Sequence, residues 1–277
     1  MRENRILKNK VTPEHYNFSI KNYNPLLIKK GKCSETFIIY VEENKYVCKK
    51  YNETHYKEYF NEIHVLKNID NTCYFPNFFK NLEDINSRYI LYPFLDGILL
   101  SKFNEKDYFK INDDNSIKHI LEQIIDALSY LLKLNLAYLN LTPDNILISN
   151  YKPLSIKLID LKYCRNITDK KMKPFRHYGY CSPELVFQKK YYHNSDVWSV
   201  GCILYYIITN KHLFFQTSDL YFDQLINFTN FNNYNKCHHI PFFCFDIINK
   251  CLTSIHFLRP SLNNVKDFLN KNTNKIT

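Results

Sequence analysis

The segment from Val197 to Ile208 constrains the fold most, because its residues are apolar on nearly every side of a helix. A helix of that kind must be covered around its whole circumference, which requires a core built from several other elements. The segment is also too short to cross a bilayer. It therefore predicts the central helix of a large helical region.

The first ninety residues have a different pattern, in which short apolar runs alternate with charged turns. This alternation predicts strands at Phe37–Val41, Tyr46–Cys48 and Tyr89–Leu91. One helix interrupts them, because apolar side chains recur at near-helical spacing from Tyr59 to Ile69. This part of the chain is therefore predicted to be strand-rich.

After Gly97 the periodicity becomes helical, most clearly in the amphipathic segment Ile117–Leu134. Further helices are predicted at Phe245–Leu252 and Leu262–Leu269. The fold class is therefore α+β, with a small strand-rich N-terminal lobe and a larger helical C-terminal lobe that meet near Pro93–Gly97. The predicted boundaries are a basic extension over 1–15, the two lobes over 16–94 and 95–270, and a tail over 271–277.

Composition narrows the class of protein further. The net charge is +10, but the basic residues are scattered, which favours a solvated surface over a nucleic-acid partner. Nine cysteines without C-x-x-C spacing indicate reduced thiols, and the first residues show no apolar signal segment. We therefore expect a cytoplasmic or nuclear protein with no membrane partner.

A cluster of Cys and His residues has spacing that fits no standard zinc site (Cys237, His238, His239, Cys244, Cys251).

Four segments carry the most specific signal in the chain. They are LAYLNLTPDNILI at Leu136–Ile148, KLIDLK at Lys157–Lys162, YGYCSPEL at Tyr178–Leu185 and SDVWSVGCILY at Ser195–Tyr205. In this order and spacing they resemble the eukaryotic protein kinase family, in a form similar to the serine/threonine kinases. The resemblance covers nearly the whole chain and implies a bilobal protein kinase fold.

The resemblance assigns several residues of the N-terminal lobe to nucleotide binding. Gly31 matches the middle glycine of the phosphate-covering loop, whose two other glycines are replaced here. Lys49 matches the lysine that binds the phosphates, with Lys50 as a register alternative, and Glu62 matches the glutamate that pairs with it. Tyr92 matches the gatekeeper position, where its bulk would close the pocket behind the adenine.

In the C-terminal lobe, Asn145 and Asp160 match the two Mg²⁺ ligands of the family, so the resemblance implies ATP and Mg as cofactors. A hard cation prefers oxygen donors, which the Asn carbonyl and the Asp carboxylate supply. After Asp160 the expected Phe-Gly pair reads Leu161–Lys162. Loss of that glycine is expected to restrict the motion of this segment.

The residues that would act on the phosphoryl acceptor depart from the family. Asn140 replaces the carboxylate that would accept a proton from the substrate hydroxyl, and Thr142 replaces the lysine that stabilises the moving phosphoryl group. His177 replaces a threonine, and Leu139 replaces an arginine that would read a phosphorylated activation loop. An amide cannot act as a general base, and loss of such a base typically costs about 10²–10⁴-fold in rate.

The substitutions therefore affect the transfer step, while the residues that would hold Mg-nucleotide are present. The resemblance implies a pseudokinase that binds ATP conditionally, has lost or strongly weakened phosphoryl transfer, and acts in signalling as a scaffold or allosteric partner of unidentified proteins. The alternative is a divergent but active serine/threonine protein kinase.

The resemblance also implies contacts that brace the C-terminal lobe. Glu184 is expected to pair with Arg259, and Asp196 is expected to bind the backbone of the catalytic loop. The short basic activation segment Tyr163–Phe175 is open to two interpretations, since it would either dock an acidic partner or be solvated.

Overall fold

A computed structural model of the chain describes residues 19–69, 73–103, 113–151, 154–169, 178–215, 217–228, 231 and 240–273. The described residues form an antiparallel, strand-rich N-terminal part and a C-terminal part that holds most of the helices, which is an α+β architecture. The chain divides into two compact units, with the division after Phe94. Residues 73–76 belong to the second unit although they precede the end of the first.

The N-terminal unit is built on one five-stranded antiparallel sheet and the helix α1 (Tyr56–Asn68). The strands are β1 (Leu26–Lys30), β2 (Ser34–Val41), β3 (Asn44–Asn52), β4 (Lys80–Glu83) and β5 (Ser87–Pro93), and they lie in the order β1-β2-β3-β5-β4. In β3, alternate side chains point to opposite faces of the sheet, so that Lys49 and Tyr51 share a face. This register decides which lysine can reach α1.

The C-terminal unit holds the remaining helices of the described residues. They are α2 (Asp114–Lys133), α3 (Pro183–Gln188), α4 (Ser195–Thr209), α5 (Ser218–Asn227), α6 (Phe242–Cys251) and α7 (Leu262–Thr273). All residues of α4 from Ser195 to Ile208 are buried, as predicted for the central helix. Gly201 allows α4 to approach α6 closely, because a Cβ atom at this position would lie 2.8 Å from the Cβ atom of Cys251.

Two small sheets among the described residues of the same unit flank the loops that contain Asn140, Asn145 and Asp160. One has three strands in the order β6 (Ile98–Leu99), β8 (Ile146–Tyr151) and β9 (Leu154–Leu158). A second pairs β7 (Leu136–Ala137) with β10 (Arg165–Asn166). The segment that resembles a catalytic loop therefore runs from β7 to β8, and Asp160 follows the end of β9.

A buried ion pair braces this unit, as the sequence predicts. The Arg259 guanidinium donates to both carboxylate oxygens of Glu184, at 2.8 and 2.9 Å, and the Ser195 hydroxyl donates to the same carboxylate. Burial raises the pKa of Glu184, but the hydrogen bonds and charge of Arg259 outweigh burial and hold that pKa below its usual value. The geometry is the bidentate arrangement that makes arginine–carboxylate pairs strong.

The predicted elements are present with shifted ends. The helix predicted at Ile117–Leu134 spans Asp114–Lys133, where the Asp113 side chain caps the first turn by accepting from the Ser116 N–H group. The helix predicted at Phe245–Leu252 begins earlier, at Phe242, directly after a proline. The basic extension predicted over 1–15 lies outside the described residues.

Candidate functional site

In the N-terminal unit, Lys49 and Glu62 form a buried ion pair between β3 and α1. The Lys49 ammonium donates to both carboxylate oxygens of Glu62, at 3.0 and 2.7 Å, and the lysine is 7% exposed. Lys50, the alternative considered from the sequence, is half-buried and follows on the opposite face of β3. The strand register thus brings Lys49 to Glu62.

Two tyrosine hydroxyls complete the surroundings of the Glu62 carboxylate. Tyr92, on β5, donates to Glu62 Oε1 at 3.0 Å. Tyr51, on β3, donates to Glu62 Oε2. A buried carboxylate is costly unless its lone pairs are satisfied, and here three donors share that role. Tyr92, which the sequence predicts at the gatekeeper position, therefore also holds the partner of Lys49 in place.

Gly31 lies in the turn between β1 and β2. Its N–H group donates to the Ser34 carbonyl oxygen at 2.9 Å, so this backbone donor closes the hairpin. A Cβ atom at Gly31 would lie 3.2 Å from that same carbonyl oxygen, which leaves little room for a side chain. A side chain at this position would therefore require the Ser34 carbonyl to shift by a few tenths of an ångström.

In the C-terminal unit, Asp196 orients the start of the catalytic-loop segment. Its carboxylate accepts from the backbone N–H groups of Tyr138 and Leu139, at 2.8 and 2.7 Å. Leu139 has a φ of 59°, a left-handed conformation that is uncommon for a residue with a branched side chain. Burial raises the pKa of Asp196 to about 6, despite these two hydrogen bonds. Asp196 therefore fixes a strained turn immediately before Asn140.

Asn140 is 1% exposed and its amide points toward the end of β9. The Nδ2 atom donates to the Asp160 carbonyl oxygen at 2.8 Å and to Asp160 Oδ2 at 3.3 Å. Its Oδ1 atom is buried and has no hydrogen-bond partner among the described residues. The Asn140 side chain, which the sequence predicts at the position of the catalytic base, is thus engaged as a donor.

The Asp160 carboxylate also binds a cation from its own segment. The Lys162 ammonium donates to Asp160 Oδ2 at 2.5 Å, and the two side chains are 11% and 16% exposed, in the order lysine and aspartate. Asp160 has a φ of 67° and precedes the short 3₁₀ helix Leu161–Tyr163. This left-handed turn brings a side chain two positions later back to the carboxylate.

Asn145 and Thr142 are both buried in the loop between β7 and β8. The Asn145 Nδ2 atom donates to the Asn140 carbonyl oxygen at 2.8 Å, while the Asn145 N–H group donates to the Thr142 carbonyl oxygen at 2.9 Å. These bonds hold Asn145 close to Asn140 in the same loop. Asp144 is exposed and accepts from the Ser101 hydroxyl at 2.5 Å, consistent with a surface charge.

A small cavity of about 10 Å³ lies beside the same loop. Its lining includes Leu139, Asn140, Leu141, Thr142, Tyr180 and Cys181. Its volume is at the lower limit for a single water molecule. This space is too small to receive a substrate side chain.

A family model described as the protein kinase domain matches residues 28–269, which is most of the chain. The chain belongs to the protein kinase family. Serine/threonine-protein kinase 36 of Mus musculus is 32% identical over 130 residues, which are 44% of this chain and 10% of that protein. The protein of the same name from Pongo abelii gives the same figures. The chain thus matches about a tenth of the length of these curated relatives.

Protein kinase domains generally use ATP and Mg, and the described residues allow a test of whether this chain suits the metal. Asn145 and Asp160 have the oxygen donors that Mg²⁺ prefers. However, Asp160 Oδ2 accepts from both the Lys162 ammonium and the Asn140 amide. A divalent cation on that oxygen would meet a positive charge at hydrogen-bond distance. In this arrangement the donor set does not fit Mg²⁺.

Two features of the site were not singled out from the sequence. Tyr51 could have been found, because it lies two residues after Lys49 and strand alternation puts both on one face. At Lys162 the sequence predicts only that the loss of the glycine restricts motion of the segment. The ion pair of Lys162 with Asp160 depends on a left-handed backbone that a single sequence does not reveal.

Some sequence predictions concern residues outside the described part of the chain. These are His177, the basic residues Lys170, Lys171 and Lys173, and the first three residues of the Cys and His cluster (Cys237, His238, His239). Within the described ranges, no group of three or more His, Cys, Asp or Glu residues is arranged to hold a metal ion. None of the helices described is both long and apolar enough to span a membrane.

Proposed function

We propose that this member of the protein kinase family is a pseudokinase. It binds nucleotide, has lost or strongly weakened phosphoryl transfer, and acts in signalling as a scaffold or allosteric partner of other proteins. The observation that carries the proposal is the engagement of the Asn140 amide, which donates to Asp160 at the position of the catalytic base.

The N-terminal unit supports the nucleotide-binding half of the proposal. A phosphate-binding lysine needs a carboxylate that holds its ammonium in place, and Glu62 does this for Lys49 through both oxygens. The tyrosine hydroxyls of Tyr51 and Tyr92 restrain Glu62 in turn. The ion pair that a nucleotide site of this family requires is therefore formed and reinforced.

The C-terminal unit supports the loss of transfer. A general base must accept a proton from the attacking hydroxyl, and the amide of Asn140 has no basic lone pair to do so. Thr142 is neutral and buried, so it cannot supply the positive charge of the family's lysine to a moving phosphoryl group. Both substitutions weaken stabilisation of the transition state rather than binding of the nucleotide.

A divergent but active serine/threonine kinase is the second candidate, and the formed Lys49–Glu62 pair favours it as well. Phosphoryl transfer depends mostly on positioning and electrostatics, so loss of a base leaves measurable activity in principle. The two candidates agree on nucleotide binding and differ in turnover.

We place the protein inside the cell, in the cytosol or nucleus. The cysteines of the described residues are free thiols, and all of them except Cys73 are buried. Such thiols suit a reducing compartment. Its protein partners are unidentified.

Nucleotide binding is tested by isothermal titration of ATP into the whole chain, with Lys49→Met and Lys50→Met as matched variants. Lys50 is the neighbouring lysine of the same strand and lies outside the ion pair. We expect wild type and Lys50→Met to bind ATP alike, and Lys49→Met to lose at least about tenfold in affinity, which corresponds to about 1.4 kcal/mol.

Circular dichroism of each variant shows whether it is folded before its affinity is interpreted. Equal affinities of the two variants would contradict the assignment of Lys49. Absence of binding by wild type at every nucleotide concentration tried would contradict the nucleotide-binding half of the proposal.

A further inference from the structure

The feature that the family assignment does not explain is the ion pair between Lys162 and Asp160. The lysine stands where the family carries a glycine, and its ammonium lies 2.5 Å from Asp160 Oδ2. Both side chains are largely removed from solvent, so the interaction is screened less than a surface pair. The pair is therefore a fixed part of the site.

Further contacts indicate how firmly this arrangement is held. The Asn140 Nδ2 atom donates to the same carboxylate oxygen and to the backbone carbonyl of Asp160. Asp160 itself is held in the left-handed region, with the 3₁₀ helix Leu161–Tyr163 directly after it. Because Lys162 is the middle residue of that helix and is only 9% exposed, its side chain has little freedom to swing away from Asp160. The carboxylate therefore has a resident positive charge.

A resident ammonium and a divalent metal ion compete for the same oxygen. Mg²⁺ needs short contacts to oxygen ligands in a nearly octahedral arrangement and gives up its water reluctantly. An ammonium held on Asp160 Oδ2 repels it and removes one of those ligands. A lysine ammonium can itself bind phosphate as a point charge, as other phosphate-binding lysines do.

We propose that Lys162 replaces the divalent cation of this site, so that nucleotide binding by this protein does not depend on Mg²⁺. The inference rests on the proposed nucleotide binding and adds the identity of the positive charge that accompanies it. The Asn140 amide belongs to the same arrangement, because it replaces a carboxylate that would otherwise add negative charge beside Asp160.

The test is the dissociation constant for ATP, measured by isothermal titration in EDTA and again in excess MgCl₂. Wild type is compared with Lys162→Gly, which restores the residue of the family, and with Lys162→Met, which keeps most of the side-chain volume. Lys250→Met is the matched control, because it removes an ammonium from a partly exposed ion pair with Asp246 in the same unit.

We expect wild type and Lys250→Met to bind ATP within about twofold in the two buffers, and Lys162→Gly to bind at least about tenfold more tightly with Mg²⁺ than in EDTA. Lys162→Met is expected to show the same dependence, which keeps the test valid if the glycine variant does not fold. A second measurement uses the metal alone: added MgCl₂ should raise the melting temperature of Lys162→Met and leave that of wild type unchanged.

Binding by wild type only in the presence of Mg²⁺ would overturn the inference and leave the proposed nucleotide binding in place. The inference would also be overturned if each of the two variants, Lys162→Gly and Lys162→Met, bound ATP with the same affinity in EDTA and in MgCl₂. Failure of wild type to bind in either buffer would overturn the proposed function, and the inference with it, so the two failures are distinguishable.

Discussion

Each unit of this protein holds an ion pair of a lysine and a carboxylate that is largely removed from solvent, and the two pairs are built differently. Lys49 and Glu62 come from two elements, thirteen residues apart, and tyrosine hydroxyls share the carboxylate. Lys162 and Asp160 come from one short segment, two residues apart, and an asparagine amide shares that carboxylate. The first pair matches the kinase family, and the second replaces a glycine of the family.

The difference shows that the effect of an ion pair depends on which of its two partners the family uses for function. In the first pair the carboxylate serves the lysine, because Glu62 holds an ammonium that the family uses for phosphate. In the second pair the lysine neutralises the carboxylate, because the family uses Asp160 as a metal ligand. In the function that we propose, the same two kinds of group therefore support nucleotide binding in one unit and oppose the usual metal in the other.

Removal of a cation from an architectural pair should have the largest effect. Arg259→Met leaves the Glu184 carboxylate buried without its bidentate partner, so we expect the free energy of unfolding to fall by about 3–5 kcal/mol. Lys162→Met should cost less, about 1–2 kcal/mol, because Asp160 is partly exposed and retains the Asn140 amide. Urea unfolding measures both variants, and equal losses would contradict the expectation that the Glu184 carboxylate depends more on its cation than the Asp160 carboxylate does.

A buried carboxylate whose described contacts are backbone N–H groups sharpens the comparison. Burial raises the pKa of Asp196 to about 6, above the usual aspartate value near 3.9. Between these values the folded protein binds a proton that the unfolded chain does not. The contribution of Asp196 to the free energy of unfolding should therefore rise by about 2 kcal/mol as the pH falls from 7 to 4.5.

Urea unfolding of wild type and Asp196→Asn at the two pH values isolates this contribution. The paired carboxylate Glu184, with a lowered pKa, loses stabilisation at acid pH instead, and it does so in both proteins. The free energy of unfolding of wild type, relative to that of Asp196→Asn, should thus be higher at pH 4.5 than at pH 7. A difference that stays constant would show that Asp196 does not titrate in this range.

Removal of a tyrosine hydroxyl beside Glu62 should have an effect no larger than that of Lys162→Met. Tyr51→Phe and Tyr92→Phe each remove one hydrogen bond to a buried carboxylate, which we expect to cost about 1–2 kcal/mol of unfolding free energy. The exposed Tyr40, in the same sheet, is the control, and Tyr40→Phe should change little. The double variant tests whether the two tyrosines are coupled through Glu62. If Tyr51→Phe and Tyr92→Phe each cost no more than Tyr40→Phe, neither hydroxyl stabilises the Glu62 carboxylate.

Much of the fold and part of the candidate site could be predicted from the sequence, because the kinase motifs are spaced along nearly the whole chain. The buried helix α4 and the pair of Glu184 with Arg259 are present as predicted. The sequence favours Lys49 over Lys50 because the preceding Val47–Cys48 pair fits Lys49 better, and the structure pairs Lys49 with Glu62. Strong hydrophobic periodicity predicts a buried helix, and the spacing of family motifs predicts which residues form ion pairs.

The features that sequence reasoning missed depend on local geometry. Strand β4 has the polar sequence KNLE at a sheet edge, which has no apolar alternation to indicate it. The contact of Lys162 with Asp160 requires a positive φ at a residue that is not glycine. The turn of the Asn140 amide toward Asp160 likewise follows from the fold, since its partner is twenty residues away.

The most direct test of the pseudokinase proposal is transfer of labelled phosphate from ATP to generic basic and acidic protein substrates, first with Mg²⁺ and then with Mn²⁺. Wild type is measured beside Asp160→Ala prepared in the same way. We predict that wild type gives no more transfer than the variant. Transfer by wild type that is absent from Asp160→Ala would contradict the account and make the protein an active, divergent kinase.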